Sequence, residues 1–245
     1  KSGAFAILRF TYFSYGTEFL EGSWAQWGVM AVTLITILFG STMAVREIHW
    51  KRRLAYSTVS NLSYILFGAT MMSSLGLAAA LSHLVIHAFM KICSFFCAGA
   101  VMHQTGKTQV YELDGLGRSM PVTFGCLTVA SFSLMGIPLF GGFISKWNLV
   151  QAAFACNKNW LPCAGVAVIL YSALMTGIYM LTVLVRAYFP RPEEERVVTD
   201  LEKKYKDPGG MMLMPLVIFA VVILFWGLHS SSLMRLLTEI GGEAG

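Results

Sequence analysis

Three ionisable side chains recur at intervals of four residues within an apolar stretch of the chain: His83, His87 and Lys91. In a helix this spacing places them on one face, with each about 6 Å above the last. Histidine titrates near neutral pH, and a lysine kept from water can also exchange protons there. Ionisable groups inside membrane spans are rare and mark function by default. The pattern therefore predicts a proton relay along one helix. A single buried histidine, by contrast, is equally often a core residue whose ring nitrogens form ordinary hydrogen bonds.

A break is predicted in the apolar stretch 121–155. As one straight helix this stretch would be about 50 Å long, well beyond the roughly 30 Å of a membrane core. Its middle combines a proline with flexible glycines: Gly136, Pro138, Gly141 and Gly142. We expect a helix broken at membrane depth, which marks ion or substrate sites in transporters. A proline kink in a packed helix is the alternative.

Two further lysines lie beside these apolar segments. Lys146 follows the break and is expected near the start of the second half-helix. The positive end of the helix dipole disfavours an ammonium there, so Lys146 should depend on an anion or water and is suited to proton loading. Its alternative role is to snorkel to an interface.

Lys1 is followed by apolar residues and would lie inside the membrane if apolar residues also precede it. Ser57, Ser60 and Ser63 share a helix face that holds water or packs helices.

The composition is that of an integral membrane protein. Of 245 residues, 56% are hydrophobic and 13% charged, against roughly 25% charged in soluble domains. The mean hydropathy is +0.64. A net charge of +5 lies in short loops without interleaved aromatic residues, which excludes nucleic acid as a partner. The cysteines lack metal-site spacing and are interpreted as apolar fillers, so no metal or cofactor is expected; they are Cys93, Cys97, Cys126, Cys156 and Cys163.

The predicted fold is an all-α membrane bundle of about six full spans and a truncated first one. Because the chain begins inside an apolar segment, we expect it to be a C-terminal fragment. The predicted transmembrane domain covers 1–189, a polar loop covers 190–210, and a last span with its tail covers 211–245. The spans lie near 1–13, 26–45, 55–73, 77–102, 121–155 (broken), 163–189 and 211–229.

Loop charges predict the orientation in the membrane. Lysine and arginine concentrate in loops 46–53, 103–120 and 190–210, while the intervening loops carry few of them. Positive loops stay on the cytoplasmic side, so these three should be cytoplasmic and the C-terminus should lie on the other side of the cell (inner or plasma) membrane. The loop 190–210 is a solvated connection or a surface for a partner.

Several motifs, taken in order, resemble the proton-conducting antiporter-like subunits of respiratory complex I, Mrp-type cation/proton antiporters and membrane-bound hydrogenases. Residues 1–10 are similar to the family's eighth helix with its central lysine, and 51–64 to the entrance of its tenth. Residues 82–91 resemble its eleventh helix, and 136–146 its broken twelfth helix with the terminal channel lysine. The resemblance covers 1–189, and the last span fits a fourteenth helix.

This resemblance implies the second half of a 14-helix inverted-repeat transporter fold. It implies that Lys146 exchanges protons with the outer side, that His83, His87 and Lys91 connect the relay, and that Lys1 links it to a cytoplasm-facing half-channel. The partners implied are protons, possibly Na⁺, the lipid bilayer and other membrane subunits of one complex. No redox cofactor is implied in this chain, and its place in a quinone oxidoreductase or hydrogenase is left open.

Other functions stay open at this point. Redox-driven pump subunits and Mrp-type Na⁺/H⁺ antiporter subunits share these motifs, and the general pattern leans slightly toward the Mrp or hydrogenase branch. A haem-binding protein could use His83 or His87, but two ligands four residues apart on one helix cannot take both faces of a porphyrin. No HExxH motif supports an intramembrane metalloprotease. A structural membrane anchor is the remaining alternative.

Overall fold

The computed structural model describes residues 1–156, 159–190 and 205–243, and this part of the chain is almost wholly helical. An isolated bridge between His49 and Gln109 is its only β-type pairing. A π-helical turn covers Phe10–Tyr15 and a 3₁₀ turn covers Val110–Glu112. The helices are α1 (Ser2–Arg9), α2 (Thr17–Leu20), α3 (Trp24–Arg46), α4 (Trp50–Ala69), α5 (Ser74–Thr105), α6 (Leu116–Ser119), α7 (Pro121–Met135), α8 (Gly141–Ala155), α9 (Leu161–Tyr188), α10 (Gly210–Leu228) and α11 (Ser230–Glu243).

Among the described helices, α3, α5, α9 and α10 are long and apolar enough to cross a membrane. Helix α4 has 20 residues, but a polar face and three basic residues in its first turn lower its hydropathy. The stretch 121–155 divides into α7 and α8, which have 15 residues each and are too short to span alone. The predicted bundle of apolar helices is confirmed, whereas the count of about six full spans stays a prediction.

Small residues let the helices approach closely. A Cβ on Gly40 of α3 would lie 3.0 Å from the backbone nitrogen of Ser60 on α4, and one on Gly165 of α9 would lie 2.1 Å from the ring of Phe67. Such contacts are typical of helices that pack inside a membrane, where van der Waals contact replaces the hydrophobic effect. Helix α4 packs mainly on α3 and α5, and α9 packs mainly on α3.

The predicted positive loops 46–53 and 103–120 meet at one end of the bundle, which we call the basic end. There the α3–α4 turn pairs with the segment after α5, because Trp50 N–H donates to Thr108 (3.0 Å) and Val110 N–H donates to Ile48 (3.1 Å). Asp114 accepts a hydrogen bond from Arg186 at the end of α9 (3.1 Å). Of the predicted loop 190–210, residues 191–204 lie outside the described residues.

The predicted tail after the last span contains a further helix, α11. It packs on the start of α5, where a Cβ on Gly241 would lie 2.6 Å from the carbonyl oxygen of Ser74. Leu237 is buried in this contact, while polar residues of α11 are exposed. An amphipathic helix this short carries too few apolar residues to appear as a span, which is why hydropathy missed it.

Asp207 joins the connection before α10 to the start of α7. Its carboxylate accepts hydrogen bonds from the N–H groups of Val122 (3.1 Å) and Thr123 (3.0 Å) and from the Thr123 hydroxyl (2.7 Å). Met120, which precedes α7, supplies no side-chain cap. Asp207 therefore provides from a distant part of the chain the acceptor that an N-cap residue normally provides locally.

We expect Asp207→Ala to lower the free energy of unfolding by about 1 kcal/mol, because two amides at the start of α7 lose their acceptor. Asp207→Asn keeps one acceptor oxygen and should lose less. Thermal unfolding of the purified protein in detergent measures both changes. An alanine variant as stable as the wild type would contradict this role of Asp207.

Candidate functional site

The predicted break lies between α7 and α8, at residues 136–140. Gly136 ends α7 with φ of +87°, a conformation that favours glycine. Leu139 also has a positive φ, +78°, which is a strained conformation for a residue with a side chain. Gly141 and Gly142, which we expected within the break, instead form the first turn of α8. Their role is close packing.

Gly142 holds the two half-helices in contact. Its N–H donates to the Ser133 hydroxyl of α7 (3.0 Å), across the break. A Cβ at this position would lie only 1.8 Å from the carbonyl oxygen of Ser133, so no other residue fits without moving the backbone. On the other side, Gly227 of α10 packs against Leu139, where a Cβ would lie 2.1 Å from the carbonyl oxygen. Ser133 and Gly227 thus cover part of the break, whereas the side chains of Ile137 and Leu139 are exposed.

Lys146 is buried, with only 6% of its surface exposed, and its side chain turns back across the break. The ammonium donates to the carbonyl oxygens of Leu134 (2.6 Å) and Met135 (3.2 Å), the last residues of α7. These carbonyls form the negative end of the α7 dipole and stabilise a positive charge. The sequence predicted that the positive end of the α8 dipole would disfavour the charge of Lys146. The structure instead places its ammonium at the negative end of the α7 dipole.

The two histidines of α5 are fully buried and stack on each other. Their ring centroids are 5.5 Å apart with an angle of 6° between the planes, which leaves no space for a porphyrin between them. His83 Nδ1 lies 3.0 Å from the hydroxyl of Ser145, the residue before Lys146. His87 Nδ1 forms a hydrogen bond with the ammonium of Lys1. These contacts run without interruption from Lys1 to the neighbour of Lys146.

Tyr64 of α4 lies between the histidines and Lys146. Its ring meets His83 edge to face, with centroids 5.3 Å apart, and its centroid lies 5.9 Å from the Lys146 ammonium. The tyrosine ring can therefore stabilise the cation that the α7 carbonyls hold. We call this set of residues the polar seam: Lys1, Tyr64, His83, His87, Ser145 and Lys146.

Lys91 is directed away from the polar seam. Its ammonium donates to the Ser57 hydroxyl (2.7 Å) and to the carbonyl of Leu54 (3.1 Å), both on α4. Ser57 in turn shares a hydrogen bond with the hydroxyl of Tyr179 on α9. Among the described residues no hydrogen bond joins Lys91 to His87. Lys91 thus begins a side branch toward α9.

The serine face of α4 has a mixed role. Ser57 takes part in the branch from Lys91, as a polar function requires. Ser60 and Ser63 donate to backbone carbonyls of their own helix, at 3.1 Å each, which fits the packing alternative. Tyr64 was missed from the sequence although it carries a signal, because it follows Ser57 by seven residues and so lies on the same face. Ser145 had no signal beyond its place beside Lys146.

The buried interior is basic. No aspartate or glutamate occurs among the buried residues in the described ranges, whereas His83, His87, Lys91 and Lys146 are all buried. When two neighbouring residues of this set are protonated, their positive charges repel each other strongly in this surrounding of low polarity. The Nε2 atoms of both histidines are buried without a hydrogen-bond partner in the described structure, as is Asn61 Oδ1. Such atoms are natural contacts for buried water.

Metal binding finds no support in the described part of the chain, where no group of three or more potential ligands occurs. Cys93, Cys97 and Cys126 are buried as free thiols between α5 and α7. Their sulfurs approach backbone carbonyls, for example Cys97 and Thr123 at 3.4 Å. This arrangement agrees with their interpretation as small apolar side chains.

A multi-pass membrane bundle with a broken helix and a buried series of basic side chains is typical of membrane transport proteins. Residues 1–176 match a protein family described as NADH:quinone oxidoreductase/Mrp antiporter, TM. The chain belongs to this family of antiporter-like membrane subunits, which confirms the resemblance that the motifs indicated.

Known relatives come from both branches of the family. The chain is 32% identical to NADH-quinone oxidoreductase subunit N of Desulforudis audaxviator over 96% of this chain and 47% of the relative. It is 33% identical to a probable K(+)/H(+) antiporter component of Rhizobium meliloti over 93% of this chain and 22% of the relative. The chain therefore spans about half or less of the length of these relatives.

The fold matches a solved structure of the same kind. The structure of the Mrp complex from Dietzia sp. DQ12-45-1b contains a chain that aligns with a TM-score of 0.82 at 25% identity. The alignment covers 98% of this chain and 50% of the other. The protein is thus a membrane-embedded, multi-pass chain with the fold of the antiporter-like subunits.

We expect Gly142→Ala to disrupt the break, because the added Cβ would force α7 and α8 apart at Ser133. The loss in stability should be about 1–3 kcal/mol, as for other overpacked sites. Gly125→Ala in α7 is the matched control, since a Cβ there meets no atom within 4 Å. Thermal unfolding in detergent compares the two variants, and equal stability would argue against close contact at the break.

Proposed function

We propose that this chain is part of a membrane protein that translocates protons, or exchanges Na⁺ for protons, through the polar seam. The observation that carries this proposal is the buried Lys146 ammonium at the helix break. It lies near the ring of Tyr64, and the preceding residue, Ser145, contacts His83, which stacks on His87 beside Lys1. Membership of the antiporter-like family supports it. The alternative role, a structural anchor, gives no reason to bury basic groups without carboxylates.

The proposed path begins at Lys1 and ends at Lys146. A proton passes from Lys1 to His87 through their hydrogen bond, and from His87 to His83 with the help of water at the free Nε2 atoms. Ser145 is then placed to relay it toward Lys146, which releases it on the outer side. Because neighbouring protonated groups repel, loading one end of the path favours release at the other. Lys91 lies beside this path. Its ammonium, which α4 holds, acts on the path through its positive charge.

The proposed fold is the second half of a 14-helix inverted-repeat transporter, with about six full spans and a truncated first one. The coverage of about half of the Mrp chain supports this proposal. A half-channel that reaches Lys1 from the cytoplasm would then belong to another part of the transporter. We place the basic end in the cytoplasm and the end of α10 outside, in a cell membrane, because positive residues accumulate on the cytoplasmic side.

The proposed partners are other membrane subunits of one complex. The relatives are named as subunits of a quinone oxidoreductase and of a K(+)/H(+) antiporter, at 32% and 33% identity. These similar values give no support to the slight lean toward the Mrp or hydrogenase branch. Redox-driven pumping and Na⁺/H⁺ exchange are therefore both compatible with this chain, and neither requires a cofactor bound within it.

Replacing Lys146 with alanine in the full-length protein, within its complex, should lower proton translocation at least tenfold, because the path loses its terminal proton carrier. Proteoliposomes with an internal pH-sensitive dye measure the rate. Lys51→Ala removes an exposed lysine at the basic end and is the matched control. Normal assembly with unchanged transport in the Lys146 variant would refute the proposed path.

The same vesicles separate the two modes of coupling. If the complex is an antiporter, an inward Na⁺ gradient alone should drive protons outward, and this flux should disappear in the Lys146 variant. If it is a redox-driven pump, protons should move only when an electron donor and a quinone are supplied. Dye signals recorded under each condition decide between the two modes. A proton flux that depends on neither the Na⁺ gradient nor the electron donor would contradict both.

A further inference from the structure

A cavity of about 290 Å³ opens at the basic end, away from the polar seam. The turn between α3 and α4 forms most of it, and the segment after α5 closes one side. Its apolar wall carries Met43 and Ile48, and its polar wall carries Arg46, Glu47, His49, Arg52 and Gln109. A site with this division suits a ligand that has both an anionic and an apolar part.

The walls of the cavity are held by buried contacts. Two backbone hydrogen bonds join the α3–α4 turn to residues 108–110. Arg53, which is buried, donates from Nε to the carbonyl of Glu47 (2.8 Å) and from Nη1 to the carbonyl of Tyr179 on α9 (3.1 Å). The turn is therefore fixed to the segment after α5 and, through Arg53, to α9, so the cavity is formed before any ligand arrives.

The cavity has a positive charge that nearby acids do not cancel. Glu47 lies 3.6 Å from Arg52, but the Arg52 side chain is 70% exposed and free to reach a ligand. Arg46 has no ion pair with any acid in the described residues. Glu112 is engaged elsewhere, since backbone N–H groups of Gln109 and Thr108 donate to it and hold the pKa of its carboxyl below the usual range. Two guanidinium groups and one carboxylate leave a net positive site.

His49 provides an independent sign of a ligand. His49 lines the cavity, and its Nδ1 atom is buried without a hydrogen-bond partner in the described structure. Its backbone N–H is already used, because it donates to the Glu47 carboxylate (3.0 Å). A buried polar atom without a partner is unusual in a native protein and is explained by a ligand or water that completes it.

An apolar track leads away from the cavity along α3. Ile48 is 53% exposed beside the arginines, and Ile35 and Phe39 are exposed farther along the outer face of α3. We propose that this cavity binds the phosphate group of an anionic phospholipid, with Arg46 and Arg52 on the phosphate and an acyl chain along α3. A free phosphate shares the anionic chemistry, but it would leave the apolar track unused. Basic pockets between membrane helices suit such headgroups.

Binding of phosphatidylglycerol to the complete protein in neutral detergent tests the proposal. Native mass spectrometry across a lipid titration should show preferred binding over phosphatidylcholine. The double variant Arg46→Gln with Arg52→Gln should bind about 25-fold more weakly, at about fivefold for each basic residue. The matched control, Arg118→Gln with Lys206→Gln, removes the same charge from the same end of the bundle and should bind as the wild type does.

A gain-of-function variant keeps the proposal testable even if the double variant fails to fold. Glu47→Gln removes the competing carboxylate, keeps an acceptor for His49 N–H, and should bind phosphatidylglycerol more tightly. Equal weakening in the control pair would show general charge attraction and overturn the site. Equal binding of phosphatidylcholine would also overturn it. Displacement of the lipid by millimolar inorganic phosphate would identify a free anion as the ligand instead.

Discussion

The ammonium of Lys146 on the last carbonyls of α7 is the interaction on which the rest of the site depends. Two helix ends at membrane depth carry backbone groups that have no partner within their own helix, and lipid cannot supply one. Lys146 satisfies two of the carbonyls, and the Ser133 hydroxyl accepts from the N–H of Gly142 in the first turn of α8. The break and the buried charge therefore stabilise each other.

A basic interior without carboxylates explains how the seam is arranged. Each buried cation in the described core meets neutral oxygen atoms: carbonyls at Lys146, a hydroxyl and a carbonyl at Lys91, and carbonyls at Arg53. Such partners stabilise a positive charge more weakly than a carboxylate would, so the proton is held less firmly. An ion pair would instead fix the proton in place, which is unsuited to a path that must load and release it.

Much of this arrangement could be predicted from the sequence. The spacing of four residues places His83 and His87 on one face, and the proline with its glycines marks the break. The direction of the Lys146 side chain could not be predicted, because it depends on how α7 and α8 meet in space rather than on the order of residues. The same holds for Lys91, whose position in the repeat favours the relay while its contacts lie on α4. Helix α11 was missed because its apolar face is too short for a hydropathy signal.

Helix α4 links the polar seam to the basic end through residues one turn apart. Arg53 donates to the carbonyl of Tyr179, and Ser57 bonds to the hydroxyl of the same tyrosine while it accepts from Lys91. One residue of α9, Tyr179, thus contacts both Arg53, which holds the α3–α4 turn, and Ser57, which holds Lys91. If a ligand at the turn shifts α4 along α9, these hydrogen bonds must break or move together, and the charge of Lys91 then moves relative to His87. The charge of Lys91 is therefore the means by which an event at the basic end would reach the proton path.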